Sequence, residues 1–126
     1  MISLFIKAAL EGYAPAIHGD GRQTRDFTYF DNVVNGVLRA AAAPDASGEV
    51  INVATGGHIA LMDVWTPLCQ IMGCTTAPQF GPPRDGDVRN SQADIRKAER
   101  LLGCRPSVTF ENGLSRTVEW FRTTGG

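Results

Sequence analysis

Residues 17–34 read IHGDGRQTRDFTYFDNVV, and how this stretch is taken decides the rest of the chain. A short apolar segment ends at His18 and turns at Gly19-Asp20-Gly21. Arg22, Arg25, Asp26 and Asp31 then alternate with Phe27, Tyr29 and Phe30. Two readings compete. One is a hairpin turn decorated with solvated charge pairs; the other is a recognition loop whose arginines and glycine amides grip an anion.

The whole chain bounds the choice. Its 126 residues suit one domain and are too few for two ordinary ones. A domain of this size buries about two thirds of the surface its unfolded chain exposes. Hydrophobic residues make up 43% and charged residues 20%, the balance of an ordinary globular protein. Twelve Lys and Arg against thirteen Asp and Glu give a net charge of −1. That excludes a global field for nucleic acid or an acidic membrane, so any anion site must be built locally. No apolar run reaches the roughly 18 residues of a membrane span. Residues 1–16 lack the basic start of a signal peptide, and Lys7 and Glu11 interrupt them; an amphipathic helix is expected. Three cysteines, Cys69, Cys74 and Cys104, form no CxxC pair. They are read as reduced thiols in a cytoplasmic protein.

Working outward, the pattern predicts a helix over residues 2–11 stopped by Gly12, with Ile2, Phe5, Ile6 and Ala9 on one stripe. A strand over 16–18 and another over 27–30 flank the glycine turn. Asp31 is expected to cap a helix over 32–43, burying Val33, Val34, Val37, Leu38 and Ala41. Residues 50–53 read as a buried strand. Residues 61–72 read as a helix with Pro67 forcing a kink or a late start. Residues 77–87 are a Pro/Gly-rich loop, 88–93 a strand, and Asp94 the cap of a helix ending at Gly103. A last helix covers 110–122, with Leu114, Val118 and Phe121 inward. Tyr29, Phe30, Trp65, Trp120 and Phe121 are assigned to the core. The resulting fold class is mixed α/β (α+β), a single domain over 1–126 with small sheets and packed helices. It is not a doubly wound dinucleotide unit, because no G-x-G-x-x-G spacing occurs.

A second loop carries Arg84, Asp87 and Arg89. Arginine forks match phosphate geometry, and each charge-assisted bond contributes ~1.5–3 kcal/mol. Arg25-Asp26 and Arg84-Asp85 can equally be surface pairs worth under ~1 kcal/mol. From the residues alone both readings stay open. His18 and His58 have no partners at metal spacing, so no metal site is expected.

Four segments in order, GDGRQTRDFTYFDNVV, EVINVATGG, RDGDVRNSQADIRKAERLLGCRP and FENGLSRTVEWFR, resemble the C-terminal part of extended short-chain dehydrogenase/reductases. The likeness is to the nucleotide-sugar epimerases and dehydratases, the UDP-hexose 4-epimerase-like branch, and it covers nearly the whole chain. The resemblance implies a substrate-binding half. It implies that Arg25 and Arg84 contact the pyrophosphate from two sides and that Asp87 holds the ribose or supports Arg84. It also implies that Ala16, Ile17 and His18 line the uracil pocket. His18 stands where a flat aromatic is common, Ala60 where Ser or Thr is common, and Pro67 where proline is rare.

The family's NAD-binding half, with its Gly-rich turn and Tyr-x-x-x-Lys pair, is not in these residues: Tyr13 is followed at the fourth position by Ile17, and Tyr29 by Val33. The expectation is therefore no catalytic residue, and no cofactor held by this chain alone. UDP or a UDP-sugar is bound weakly, with no nucleic-acid or membrane partner. Three functions follow: a truncated, inactive binder; a subunit of a split epimerase completed by a separate NAD-binding half; or a non-binding structural module. A substrate half without its partner half exposes apolar surface. Self-association is therefore expected, with an exchanged segment as one route and the apolar first helix as its motive.

Overall fold

A computed structural model describes residues 1–125. Helix α1 (Ile2–Glu11) is built from good helix formers and ends at Gly12, whose φ of 74° suits a left-handed cap and whose amide donates to the Ala8 carbonyl. Strand β1 (Ala16–His18) follows, then β2 (Thr24–Arg25), α2 (Phe30–Ala42), a short 3-10 turn (Pro44–Ala46) and β3 (Ile59–Ala60). Helix α3 (Leu61–Met72), β4 (Gln79–Gly81), α4 (Arg96–Leu102) and α5 (Phe110–Thr124) complete the described chain. This is the mixed α/β architecture expected, with two separate two-stranded sheets.

The main core lies where α1, α3 and α5 meet β1. Phe5, Ile6, Ile17, Val64, Trp65, Leu68, Leu114 and Val118 fill it. Phe5 meets Trp65 edge to face at 5.6 Å, and the Trp65 indole N–H donates to the Thr76 carbonyl at 3.0 Å. A smaller cluster joins α4 to α2 through Ala98, Leu102 and Cys104. Buried Asn32 ties α2 to the segment entering α5: its amide donates to the Val108 carbonyl, and its oxygen accepts from the Ser107 and Val108 amides. Thr109 caps α5 by accepting from the Asn112 amide.

Several expectations fail for identifiable reasons. Residues 27–29 are not a strand. The strand sits at Thr24–Arg25, pairing antiparallel with β3, and Phe30 already opens α2. Asp31 therefore lies inside the first turn, where it pairs with Arg116 at 3.0 Å, and Tyr29 takes the cap position. Residues 50–53 form no strand, and among the described residues no backbone hydrogen bond reaches them. A short apolar strand needs a neighbour on its hydrogen-bonding edge, and none is present here. The stripe on α2 is open rather than buried: Phe30, Val37 and Leu38 are 72%, 58% and 65% exposed, and Val33 and Val34 are partly so. Trp120 is likewise exposed, so neither it nor Phe30 belongs to the core.

Helix α3 starts on time and runs through Pro67. Residues 88–93 contribute a single bridge, Asn90 to Thr24, and not a strand. The loop at 77–87 contains β4, parallel to β1 with Ile17 opposite Phe80; Pro and Gly on both sides masked this three-residue strand. Asp94 does not occupy the cap itself, which falls to Ile95, but its carboxylate accepts from the Arg96 amide. The cysteines differ most: Cys69 and Cys74 are joined in a disulfide, and Cys104 alone is a free, buried thiol. The helix C-cap at Gly73 turns the chain back on itself and brings the two Cα atoms within 4.6 Å, which spacing in the sequence does not reveal.

Candidate functional site

The site is assembled from three segments that converge on residues 24–26. Thr24 donates its amide to the Arg89 carbonyl at 2.8 Å and accepts from the Ser91 amide. Asp26 accepts from the Thr55 amide at 3.1 Å, from the Gly56 amide at 2.9 Å and from the Ala93 amide. One carboxylate thus ties the 55–57 loop and the entry to α4 onto the segment carrying Arg25. Between these anchors Arg25 reaches across to the second loop. Its guanidinium donates to the Thr24 carbonyl at 2.7 Å, to the Val88 carbonyl at 2.6 Å and to Asp87 at 2.5 Å.

The glycine turn sets the floor. Gly21 has a φ of 72°, and a Cβ there would lie 2.7 Å from the Met62 side chain. Both conditions admit only glycine without a shift. Asp20 accepts from the Arg22 amide at 3.0 Å and pairs with Arg89 at 3.1 Å. These two contacts, the Arg22 amide first, hold its carboxyl below the ordinary value. Gln23, 7% exposed, donates its amide to the His18 carbonyl at 2.6 Å and fixes the turn to β1.

A cleft of about 370 Å³ opens here, lined by His18, Asp20, Gln23, Arg84, Asp87 and Arg89 among others. It adjoins a larger hollow of about 560 Å³, walled partly by Leu4, Tyr13 and Leu61. All six residues singled out in the sequence, Ala16, Ile17, His18, Arg25, Arg84 and Asp87, line that second hollow. Ile17 is only 1% exposed, so its side chain serves the core. Asp87 pairs with Arg25, while the Arg84 carbonyl accepts from the Asp87 amide and the Arg84 side chain makes no hydrogen bond or ion pair among the described residues. Its charge is therefore available to a ligand.

The edge of β1 is also available. Gly19 donates to the Gly81 carbonyl and Gln79 donates to the Pro15 carbonyl. Peptide groups alternate sides along a strand, so the N–H and C=O of Ala16 and the N–H of His18 point away from β4. Gln23 and Asp26 were not singled out from the sequence as site builders. The only signal was their place inside the Gln-Thr-Arg-Asp run, where a buried amide and an adjacent carboxylate can brace an arginine.

The Thr55-Gly56-Gly57 stretch ahead of α3 is not a free phosphate cradle: its amides already donate to Asp26 and to the Thr55 hydroxyl. No helix is long and apolar enough to cross a membrane, and no cluster of three or more metal-ligating side chains occurs among the described residues.

Residues 1–54 match the model of the NAD dependent epimerase/dehydratase family. The UDP-glucose 4-epimerase of Mycolicibacterium smegmatis is 37% identical over 122 residues, which are 97% of this chain and 39% of that protein. The crystal structure of UDP-glucose 4-epimerase from Thermotoga maritima, solved with UDP-glucose, is 38% identical with a TM-score of 0.93. The match covers 99% of this chain and 40% of that one. UDP-glucuronic acid 4-epimerase from Bacillus cereus, solved with UDP-glucuronic acid and NAD, is 32% identical with a TM-score of 0.91, over 97% of this chain and 39% of that one. This chain spans about 40% of the length of these relatives.

Proposed function

We propose that this chain, which matches the C-terminal part of NAD dependent epimerase/dehydratase family members of the extended short-chain dehydrogenase/reductase type, is the part of such a site that binds the UDP-sugar. The observation that carries this reading is the pair of arginines on opposite loops of one cleft, with Arg84 unpaired and facing it.

The pyrophosphate lies between Arg84 and Arg25, each donating forked N–H bonds. Asp87 already orients Arg25, and its second oxygen accepts from a ribose hydroxyl. Uracil offers an imide N–H beside carbonyl oxygens, and the free edge of β1 at Ala16 and His18 presents the complementary C=O and N–H. His18 stacks on the base. The cleft fits UDP better than a bare anion, because its basic mouth continues into the partly apolar hollow behind Tyr13 and Leu4.

Chemistry on the sugar is a separate matter. NAD supplies hydride transfer in this family; this sequence carries no Tyr-x-x-x-Lys pair, and the amides of the 55–57 glycine stretch are already occupied. We assign the reaction to a cofactor-binding part, in a longer chain or in a separate subunit. Its docking surface is the open apolar face of α2 together with residues 50–53, whose backbone awaits a neighbouring strand. Helix α1, by contrast, spends Phe5, Ile6 and Ala8 on the core. Where no cofactor-binding part is present, the same α2 face would hold two copies together. The reading is that of a cytoplasmic protein.

Calorimetric titration tests the proposal. UDP is expected to bind weakly, at least tenfold tighter than uridine, because the arginines need the pyrophosphate. Equal affinity for the two, or no heat with UDP at millimolar concentration, contradicts it. Added NAD should give no epimerisation by this chain alone.

A further inference from the structure

The Cys69–Cys74 disulfide lies outside the cleft and is unexplained by it. Its position is specific. Cys69 stands in the last turn of α3, and its carbonyl accepts from the Gly73 amide at 2.7 Å and the Cys74 amide at 3.1 Å. This cap places the two thiol-bearing residues within bridging distance, so the bond closes without a large backbone movement. Once it is open, the start of the connection is left to these two hydrogen bonds. Both cysteines are half-buried and sit on the wall of an open hollow with Trp65, Thr66, Gln70 and Thr75, so a small thiol can reach them. Cys104 is buried in another cluster and takes no part.

Downstream, residues 73–78 form the whole connection from α3 to β4. Beyond the cap and the packing of Cys74 on the core, two hydrogen bonds among the described residues fix this connection: the Trp65 indole N–H to the Thr76 carbonyl, and the Gln79 amide to the Pro15 carbonyl. Three residues beyond β4 stands Arg84, on the cleft.

We propose that Cys69 and Cys74 are a reversible thiol switch that sets the order of the α3–β4 connection, and with it the strand that leads to the Arg84 loop. The step is a two-electron exchange. A dithiol reductant attacks through one thiolate to give a mixed disulfide, its second thiol closes its own disulfide, and the protein gains two electrons and two protons as Cys69-SH and Cys74-SH. Oxidised glutathione reverses it. Bridges in the cytoplasm are normally transient or regulatory, so this assignment agrees with the location proposed above without depending on the nucleotide reading.

The test counts thiols and measures amide exchange on the full chain. Alkylation under denaturing, non-reducing conditions should label Cys104 alone after treatment with oxidised glutathione. All three cysteines should be labelled after millimolar dithiothreitol applied to the folded protein. In the reduced form the amides between residues 74 and 81 should exchange at least tenfold faster, with α5 unchanged. The double variant C69S/C74S should exchange at the fast rate under both conditions. Three labelled cysteines after oxidation, a bridge that yields to dithiol only on unfolding, or identical exchange in the two forms would each overturn the proposal.

Discussion

Replacing Arg84 and Arg25 in turn separates two roles that the sequence makes look alike. The Arg84 side chain has no hydrogen-bond or ion-pair partner among the described residues, so Arg84→Ala should leave stability within about 0.5 kcal/mol of the parent. Arg25 donates to two carbonyls and to Asp87. Its side chain is 27% exposed, which discounts the ion pair to under ~1 kcal/mol, and the two carbonyl bonds add about as much again. Arg25→Ala should therefore cost ~1–2 kcal/mol. For binding the two converge. Each removes a charge-assisted contact to the pyrophosphate worth ~1.5–3 kcal/mol, which is roughly a ten- to hundredfold loss of UDP affinity. Urea unfolding gives the first quantity and calorimetry the second. The reasoning fails if Arg84→Ala destabilises by more than about 1 kcal/mol, or if Arg25→Ala leaves both stability and affinity intact.

Other expectations follow from single contacts. Asn32→Ala leaves the Val108 amide and carbonyl unpaired in a buried site, so urea unfolding should show a loss of ~3 kcal/mol; less than ~1 would refute the role given to Asn32. Gly36→Ala places a methyl 2.4 Å from Val53, costing ~1–3 kcal/mol by thermal or urea unfolding and shifting the amide signals of residues 50–54. Asp94 is held down to about 2, chiefly by the Arg96 side chain and then by the Arg96 amide. A depressed folded value means that the contact is complete above the unfolded value near 3.8 and is lost as pH falls through about 2. A carboxyl carbon titration with its midpoint at 3.8 or above would contradict it.

The helices were legible because their apolar spacing and glycine stops are local: α1 ends at Gly12 and α4 at Gly103, as read. The cleft was half legible. The arginines and Asp87 stood out by chemistry, but the partnership of Asp87 with Arg25, 62 residues apart, depends on Thr24 bonding to Arg89 and Ser91. Strand assignment failed where hydrogen-bonding partners decide. Residues 50–53 have strand composition and no edge to join, whereas Gln79–Gly81 has loop composition and a parallel neighbour in β1. The open face of α2 could not be foreseen from periodicity, which identifies an apolar stripe but not what covers it. The disulfide was missed because a helix cap, and not sequence spacing, makes the two cysteines neighbours.

The most direct measurement is a map of UDP binding by amide shifts on isotope-labelled protein. The account predicts saturable changes confined to residues 16–25 and 81–89, with the Arg84 amide and the His18 ring among the largest, and their loss in Arg84→Ala. Unchanged spectra at millimolar UDP, or shifts centred on α2 or α5 instead, would contradict a nucleotide-sugar cleft between these two loops.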